Sequence, residues 1–389
     1  MSNDNSRFDD IELRRSWDEL HRDVVLRGRR LRVRRRALQA APILVSVAIF
    51  AGAIAIVNRG PDQRTIVADG GDPSSSVTPA PTVPEPEVAR IAFVRIRNGG
   101  ADGSEIYIVD SDGENLRRLS RDAATNDGSP TFSPDGQRIA FQSERDNPLR
   151  GIKRVTDVYT MRADGTDIQR VTVTTAPGLG NGVRHPSWSP DGRLLAVARE
   201  DATDNSHILT MTPDGDNERR ITDGPGDVGP VWSPDGEWIA FRRRPTNQDE
   251  QLWVVRPDGT EAQLVLAQIH DSPVAWSPDG RITFADQPSE GVRLFSVNLD
   301  GGDRRALTDG PGLKDVAPAW APSGDWFVYA QDQDDAFFFE RNIDGTETVG
   351  GGPRPGRLII ATPAGTLLAL LTEPDQRDYD LPAAVTALR

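Results

Sequence analysis

From residue 89 onward, apolar residues come in short bursts separated by turn-forming tetrapeptides. WSPDGEWIAF (232–241) is the fullest phrase, and FSPDGQRIAF (132–141), SWSPDGRLLAV (187–197), AWSPDGRITF (275–284) and AWAPSGDWFVY (319–329) repeat it. Trp188, Trp232, Trp276 and Trp320 stand 44 residues apart, and Phe132 precedes Trp188 by 56. A second phrase keeps step: Asp112-Gly113, Asp164-Gly165, Asp214-Gly215, Asp258-Gly259, Asp300-Gly301 and Asp344-Gly345. Lines such as RRLS (117–120), RRIT (219–222) and RALT (305–308) then close a unit. A period of this size marks a repeat architecture.

Within one unit the pattern predicts four strands. In Ser233-Pro234-Asp235-Gly236, Ser suits the first position of a type I turn, Pro presets φ at the second and Gly suits the last. The flanking residues are β-branched or aromatic, so the phrase reads strand, tight turn, strand. QLWVV (251–255) is a third strand, Asp258-Gly259 a hairpin turn and AQLVL (262–266) a fourth. Trp238 and Ala240 face one way, Ile239 and Phe241 the other, so both sheet faces need cover. Stacked four-stranded blades provide it.

These residues resemble the TolB-type, WD-like propeller repeat over about 89–371. The resemblance implies an all-β, six-bladed β-propeller, with seven blades as the alternative. It implies nothing about a ligand, because propellers host binding, scaffolding and catalysis alike. TolB proteins carry an α/β domain before the propeller, and residues 1–88 here read differently, so TolB partners do not carry over.

Ring closure has a candidate in the tail. RLIIA (357–361) lies 17 residues after Asp344, close to the 18 that separate Asp214 from Trp232. It is therefore expected to return as the innermost strand of the first blade. Thr362-Pro363-Ala364-Gly365 then echoes SPDG, and TLLALL (366–371) is left over as a strand that six blades do not need. The propeller is expected over 89–375, with 376–389 as a tail, helical or loose.

Upstream, ALQAAPILVSVAIFAGAIAIV (37–57) is uncharged and long enough to cross a bilayer as one helix. RGRRLRVRRR (27–36) precedes it and Arg59 alone follows promptly, so the positive-inside rule places residues 1–36 in the cytoplasm and the propeller outside. A transmembrane helix over 37–58 is expected; the alternative is a cleaved signal peptide with Ala53-Ile54-Ala55 as its site. Residues 59–88, rich in Pro, Ser, Thr and Gly, are a tether. In FDDIELRRSWDELHRDVVL (8–26), Leu13, Trp17, Leu20 and Val24 make one apolar stripe of an amphipathic helix. That stripe must meet lipid, a protein partner or nothing. This layout resembles membrane-anchored anti-sigma regulators, which implies a cytoplasmic regulator such as a sigma factor as partner.

Charge sharpens the division. The net charge is −14, with 45 basic and 59 acidic residues. Residues 1–60 carry +5 and the remainder −19. An acidic body argues against nucleic acid as a partner. There is no cysteine, which excludes disulfides and thiolate chemistry.

The SPDG and Asp-Gly turns join strands 1–2 and 3–4 and share a uniform rim. The strand 2–3 loops and interblade links form the other, varied rim, where a rigid scaffold carries function. Two groups there are candidate ligand-binding residues. Arg150, Lys153, Arg154, Arg242, Arg243 and Arg244 form a basic cluster suited to an acidic peptide or a carboxylate-bearing polymer. Asp127, Asp227, Asp271 and Asp315 recur before the first strand of their units, either ringing the channel mouth or capping interblade turns. No metal and no cofactor is expected: the Asp-Gly segments lack the Glu that closes a calcium loop. Only His21, His185, His207 and His270 are present, and no G-x-S-x-G elbow, so catalysis is not expected. The expectation is a single-pass membrane-anchored extracytoplasmic propeller that binds a protein or cell-envelope ligand and relays occupancy inward. An inertly anchored scaffold and a propeller hydrolase or lactonase using Asp/Glu and a metal are the alternatives.

Overall fold

The computed structural model describes residues 88–387 except 98–102, 121–125, 148–154, 175–181, 202, 204, 246–248, 289–290, 310–312, 334–337, 342–346, 351–356 and 373–378. The membrane helix expected over 37–58, the helix over 8–26 and the tether all lie outside the described residues. Among the described residues no helix is long and apolar enough to cross a membrane.

Six four-stranded antiparallel sheets follow one another around a ring. Blade 1 holds β1 (Ala89–Ile96), β2 (Ser104–Asp110) and β3 (Arg117–Arg118). Blade 2 is β4 (Asp127–Phe132), β5 (Arg138–Ser143), β6 (Asp157–Arg162) and β7 (Gln169–Arg170). Blade 3 is β8 (Val183–Trp188), β9 (Leu195–Glu200), β10 (Ser206–Met211) and β11 (Arg219–Arg220). Blade 4 is β12 (Asp227–Trp232), β13 (Ile239–Arg243), β14 (Glu250–Val255) and β15 (Gln263–Ile269). Blade 5 is β16 (Ala275–Trp276), β17 (Ile282–Asp286), β18 (Arg293–Val297) and β19 (Arg305–Ala306). Blade 6 begins with β20 (Leu313–Trp320) and β21 (Phe327–Gln333), detours through a separate hairpin of β22 (Phe338–Arg341) and β23 (Glu347–Gly350), and ends with β24 (Arg357–Ala361) and β25 (Leu367–Leu370). The last strand, β26 (Tyr379–Ala387), pairs with β1 and completes blade 1. The first strands of the blades lie side by side in the order β26, β4, β8, β12, β16, β20 and back to β26. Six blades are therefore the outcome, not seven.

Closure corrects the sequence reading. RLIIA is not the innermost strand of blade 1 but the third strand of blade 6, with Tyr329 opposite Ile359. Thr362 to Gly365 is the strand 3–4 turn: Gly365 N–H donates to Thr362 O at 2.9 Å, as Gly215 N–H does to Thr212 O in blade 3. TLLALL supplies β25, so nothing is left over. The spacing misled because the strands that flank Asp344-Gly345 in sequence, β22 and β23, pair with each other as a separate hairpin and not with the blade. The stretch read as a tail is the closing strand. Pairing the first and last strands of the propeller in one sheet removes free edges that each would otherwise expose.

The core is a set of interblade layers, which is why both faces of most strands are apolar. Ile139, Phe141, Tyr159 and Met161 of blade 2 pack on Ala92, Ile106 and Ile108 of blade 1. Equivalent layers join blades 2–3, 3–4, 4–5 and 5–6. Ile91, Phe93 and Val109 meet Val328, Leu358 and Ile360 across the seam between blades 6 and 1. Phe132, Trp188, Trp232 and Trp276 each belong to the layer shared with the preceding blade. Trp276 Nε1–H also donates to Val231 O of blade 4 at 3.0 Å.

The uniform rim is held by its turns. Ser233 Oγ donates to Asp235 Oδ1 at 2.6 Å and accepts from Trp238 N–H at 2.9 Å. Gly236 adopts φ +74° and sits against Pro190 of the preceding blade's turn. At Gly215 (φ +90°) a β-carbon would run into the Val171 carbonyl of blade 2, so glycine there serves both the turn and the close approach. A Ser or Thr after the fourth strand recurs: Ser120, Thr172, Thr222, Thr308 and Thr372 each accept the N–H of a third-strand residue.

Candidate functional site

The first strand of each blade starts at the varied rim, so residues at its beginning sit where the expected binding end lies. Asp127, Asp227, Asp271 and Asp315 each stand five positions before the Phe or Trp that ends the strand. A fifth, Asp380 in β26, was missed. DLPAAV (380–385) matches DSPVAW (271–276) in its Asp and Pro, but Val385 stands where the marker Trp should, and that erased the signal.

Three of these carboxylates are buried and clamped by arginine. Arg95 donates to both oxygens of Asp380 at 2.7 and 2.8 Å. Arg145 does so to Asp127 at 3.2 Å, and Arg243 to Asp227 at 2.6 and 3.0 Å. Each guanidinium also lies over two rings of its own blade: Phe93 and Tyr107, Phe141 and Tyr159, Phe241 and Trp253. Cation–π attraction and a bidentate ion pair fix the same cation from two sides. Blade 6 departs from this scheme. Gln331 stands opposite Asp315 and donates a single hydrogen bond at 2.9 Å. Burial pushes the Asp315 carboxyl up to about 6, with Gln331, Thr308 and Arg293 opposing.

Blade 5 departs in another way. Its first strand begins only at Ala275, and Asp271 in the preceding link reaches the arginines of blade 4. Arg242 Nη1 donates to Asp271 at 2.6 Å and to both Glu250 oxygens at 2.9 and 3.0 Å. Arg244 bridges the same two acids, at 2.6 Å to Glu250 and 2.5 Å to Asp271. Burial works to raise the Asp271 carboxyl, but these two guanidiniums hold it below its usual range. The sequence cluster is thus divided: Arg242, Arg243 and Arg244 are all ion-paired, while Arg150, Lys153 and Arg154 lie outside the described residues. Leu13, Trp17, Leu20 and Val24 lie outside them too.

A backbone irregularity adds a feature that residue types alone did not reveal. Ser129, His185, Gly229 and Ala317, each three positions before the strand-ending aromatic, have φ between +47° and +61°. The first-strand register skips at these points, between Arg184 and Ser187 in blade 3 and between Val228 and Val231 in blade 4. Each is a β-bulge. His185 is partly buried; burial, then the charges of Arg242, Arg184 and Arg244, push its imidazole down to about 3, with Asp271 opposing. It is therefore neutral at physiological pH. Its backbone N–H donates to Gln142 Oε1 of blade 2 at 3.0 Å. Arg184 pairs with Glu200 at 3.4 Å. Among the described residues no three His, Asp or Glu side chains are placed to hold a metal ion. The arrangement offers oriented hydrogen-bond donors in a charge-balanced wall, which suits recognition.

Comparison with known proteins agrees with this geometry. The sequence profile of the TolB beta propeller domain matches residues 62–270 and 179–348, together well over half of the chain. The Tol-Pal system protein TolB of Desulfosudis oleivorans is 31% identical over 134 residues, covering 34% of this chain and 26% of that protein. The Tol-Pal system protein TolB of Alcanivorax borkumensis is 33% identical over 110 residues, covering 28% and 22%. The matched stretch thus spans about a quarter of the length of these curated relatives. Among solved structures, TolB from Acinetobacter baumannii superposes with a TM-score of 0.53 at 20% identity, covering 76% of this chain and 67% of that one. A putative TolB from Agrobacterium tumefaciens gives 0.52 at 18%, covering 77% and 99%. At these identities the structural likenesses establish the fold alone.

Proposed function

The chain belongs to the TolB beta propeller domain family, and from that premise we propose that it is a membrane-anchored binding propeller of the cell envelope. Residues 37–58 cross the membrane once, residues 59–88 tether the propeller on the extracytoplasmic side, and the varied rim receives a protein or other envelope ligand. The cytoplasmic helix, through Leu13, Trp17, Leu20 and Val24, relays occupancy to a regulator such as a sigma factor. The observation that carries the reading is the pairing of a family propeller, whose similar relatives are named for the Tol-Pal system, with an uncharged 21-residue segment directly after seven arginines within residues 27–36. The chemistry of the rim supports binding, because Asp127, Asp227, Asp271 and Asp380 are each paired with arginine, and Asp315 is held by Gln331.

The test is crosslinking and capture from native membranes, comparing the full chain with a chain lacking residues 1–26. Extracytoplasmic partners common to both, with cytoplasmic partners lost on truncation, are the expected result. An unchanged and wholly extracytoplasmic set would remove the relay and leave a tethered scaffold. Capture of cytoplasmic proteins on the propeller itself would overturn the topology.

A further inference from the structure

The bulges of blades 3 and 4 lie on neighbouring first strands, β8 and β12, which run side by side. At this level blade 4 has Gly229 and blade 3 has His185, both in the left-handed region at φ +61° and +55°. Ser129 and Ala317 hold the equivalent positions of blades 2 and 6 in the same region, so the bulge belongs to the scaffold, and what distinguishes this pair is an imidazole next to a glycine. The bulge also breaks the alternation that would send Arg184 and His185 to opposite faces: His185 and Pro186 together oppose Val197 alone, between the pairs Arg184–Ala198 and Ser187–Ala196.

Three nitrogens in this neighbourhood are sealed from solvent and have no hydrogen-bond partner: Arg184 Nε, His185 Nδ1 and Arg242 Nε. Arg242 is itself only 4% exposed. Its Nη1 is taken by Glu250 and Asp271, which fixes the guanidinium plane and leaves the Nε edge aimed at the Gly229 bulge. A β-carbon at Gly229 would stand in contact with that Nε, at 3.4 Å, and across the approach to it. Buried polar atoms are expensive to leave unmatched, and the neutral imidazole can meet an acceptor through its Nδ1–H tautomer. A group that brings acceptor lone pairs to all three would remove that cost.

We propose that the facing bulges of blades 3 and 4 form a carboxylate-binding pocket in which Arg184, His185 and Arg242 take an acidic group of a peptide ligand. The proposal rests on the reading of this rim as the binding end and names the chemistry it recognises. Charge balance decides the class. Arg184, Arg242 and Arg244 are matched by Glu200, Glu250 and Asp271. A dianion such as phosphate would meet those three acids without compensating excess charge. A singly charged carboxylate, held by directed donors of two guanidiniums and a neutral imidazole N–H, fits.

The chain has four histidines, so the imidazoles of uniformly 15N-histidine-labelled full-length protein can be followed individually by NMR, with His185→Gly identifying the signal. Glycine suits the left-handed position, so this variant keeps the bulge. Three probes are titrated: acetyl-Gly-Gly-Gly with a free C-terminus, acetyl-Gly-Glu-Gly-amide and acetyl-Gly-Gln-Gly-amide. A saturable shift of the His185 signal is expected with one or both carboxylate peptides and none with the glutamine peptide. Which carboxylate peptide binds tells a chain terminus from an acidic side chain. The occupied His185 should also titrate at higher pH, because an adjacent carboxylate favours the imidazolium. Arg184→Gln, at a half-exposed position, should weaken binding at least fivefold. No His185 shift with either carboxylate peptide, an equal shift with the glutamine peptide, or unchanged affinity in Arg184→Gln would each overturn the pocket. If the pocket fails while membrane capture still yields an extracytoplasmic partner of the propeller, the rim reading survives without it.

Discussion

Blade 4 and blade 6 solve the same problem in different ways. Both carry a buried aspartate five residues before the tryptophan that ends the first strand, and both have an aromatic residue two positions before its second-strand partner. In blade 4, Arg243 neutralises Asp227 and is itself held over Phe241 and Trp253. In blade 6 that position is Gln331, the second-strand ring is Tyr329, and Ile359 replaces the third-strand aromatic. Without a third-strand ring or a guanidinium, Asp315 has only neutral and distant help, and its carboxyl rises. The comparison teaches that the blade scaffold requires the acid's position but not its charge. Where a guanidinium is supplied it pairs with the acid; in blade 6, where none is, burial raises the Asp315 carboxyl.

The largest test removes the clamp. Arg243→Met should cost about 3–5 kcal/mol in urea unfolding, because it strands the Asp227 carboxylate in the interior. Gln331→Leu should cost only about 1 kcal/mol, the worth of one hydrogen bond to an acid that can protonate. Equal costs would break the comparison.

Asp315 offers a second test, in pH. Its folded carboxyl titrates at about 6, above an unfolded value near 3.8. The folded state therefore binds this proton more tightly, and the associated stability is fully present below about pH 4 and lost as pH rises through about 6. Asp315→Asn should stabilise the protein at pH 7 by on the order of 2–3 kcal/mol, and the gain over wild type should vanish by pH 4. The equivalent Asp227→Asn should destabilise at pH 7, because it leaves Arg243 without its counter-charge. A pH-independent effect of Asp315→Asn would show that the carboxyl is not raised.

The smallest contrast lies in the strand 1–2 turns. Blade 6 has Ala321 where blade 4 has Ser233, although the backbone bonds are kept: Ala321 N–H donates to Trp326 O and Gly324 N–H to Ala321 O, both at 3.0 Å. Ser233→Ala should cost about 1 kcal/mol by removing the acceptor for Trp238 N–H. Ala321→Ser should return about 0.5–1 kcal/mol to blade 6 by adding the same acceptor for Trp326 N–H. Both are read from urea midpoints at constant slope.

How much was legible follows from which residues act locally. Ser233-Pro234-Asp235-Gly236 makes its turn from its own φ preferences, and Trp232 marks the end of a strand in any blade, so repeat, strand order and rims were all readable. Asp344-Gly345 has the same local chemistry as Asp258-Gly259 but lies in sequence between the two strands of an inserted hairpin, and nothing local distinguishes the two. β26 was obscured because Val385 replaces the marker aromatic. At the site, Asp127, Asp227, Asp271 and Asp315 were found by spacing, and Asp380 was not. Their arginine partners were not, because Arg145 lies 18 residues and Arg95 285 residues from the acids they hold.

The sequence by itself determined a ring of four-stranded blades, the two kinds of rim and the acid at the head of the first strand, because these depend on short-range dihedral preferences and a fixed period. Only the tertiary structure decided which C-terminal strand closes blade 1, which arginine pairs with which carboxylate, and that the strand carrying Arg184 and His185 lies beside the first strand of the blade that carries Arg242. Those outcomes depend on which surfaces meet when the ring closes, and residues far apart in the chain carry no mark of meeting until it does.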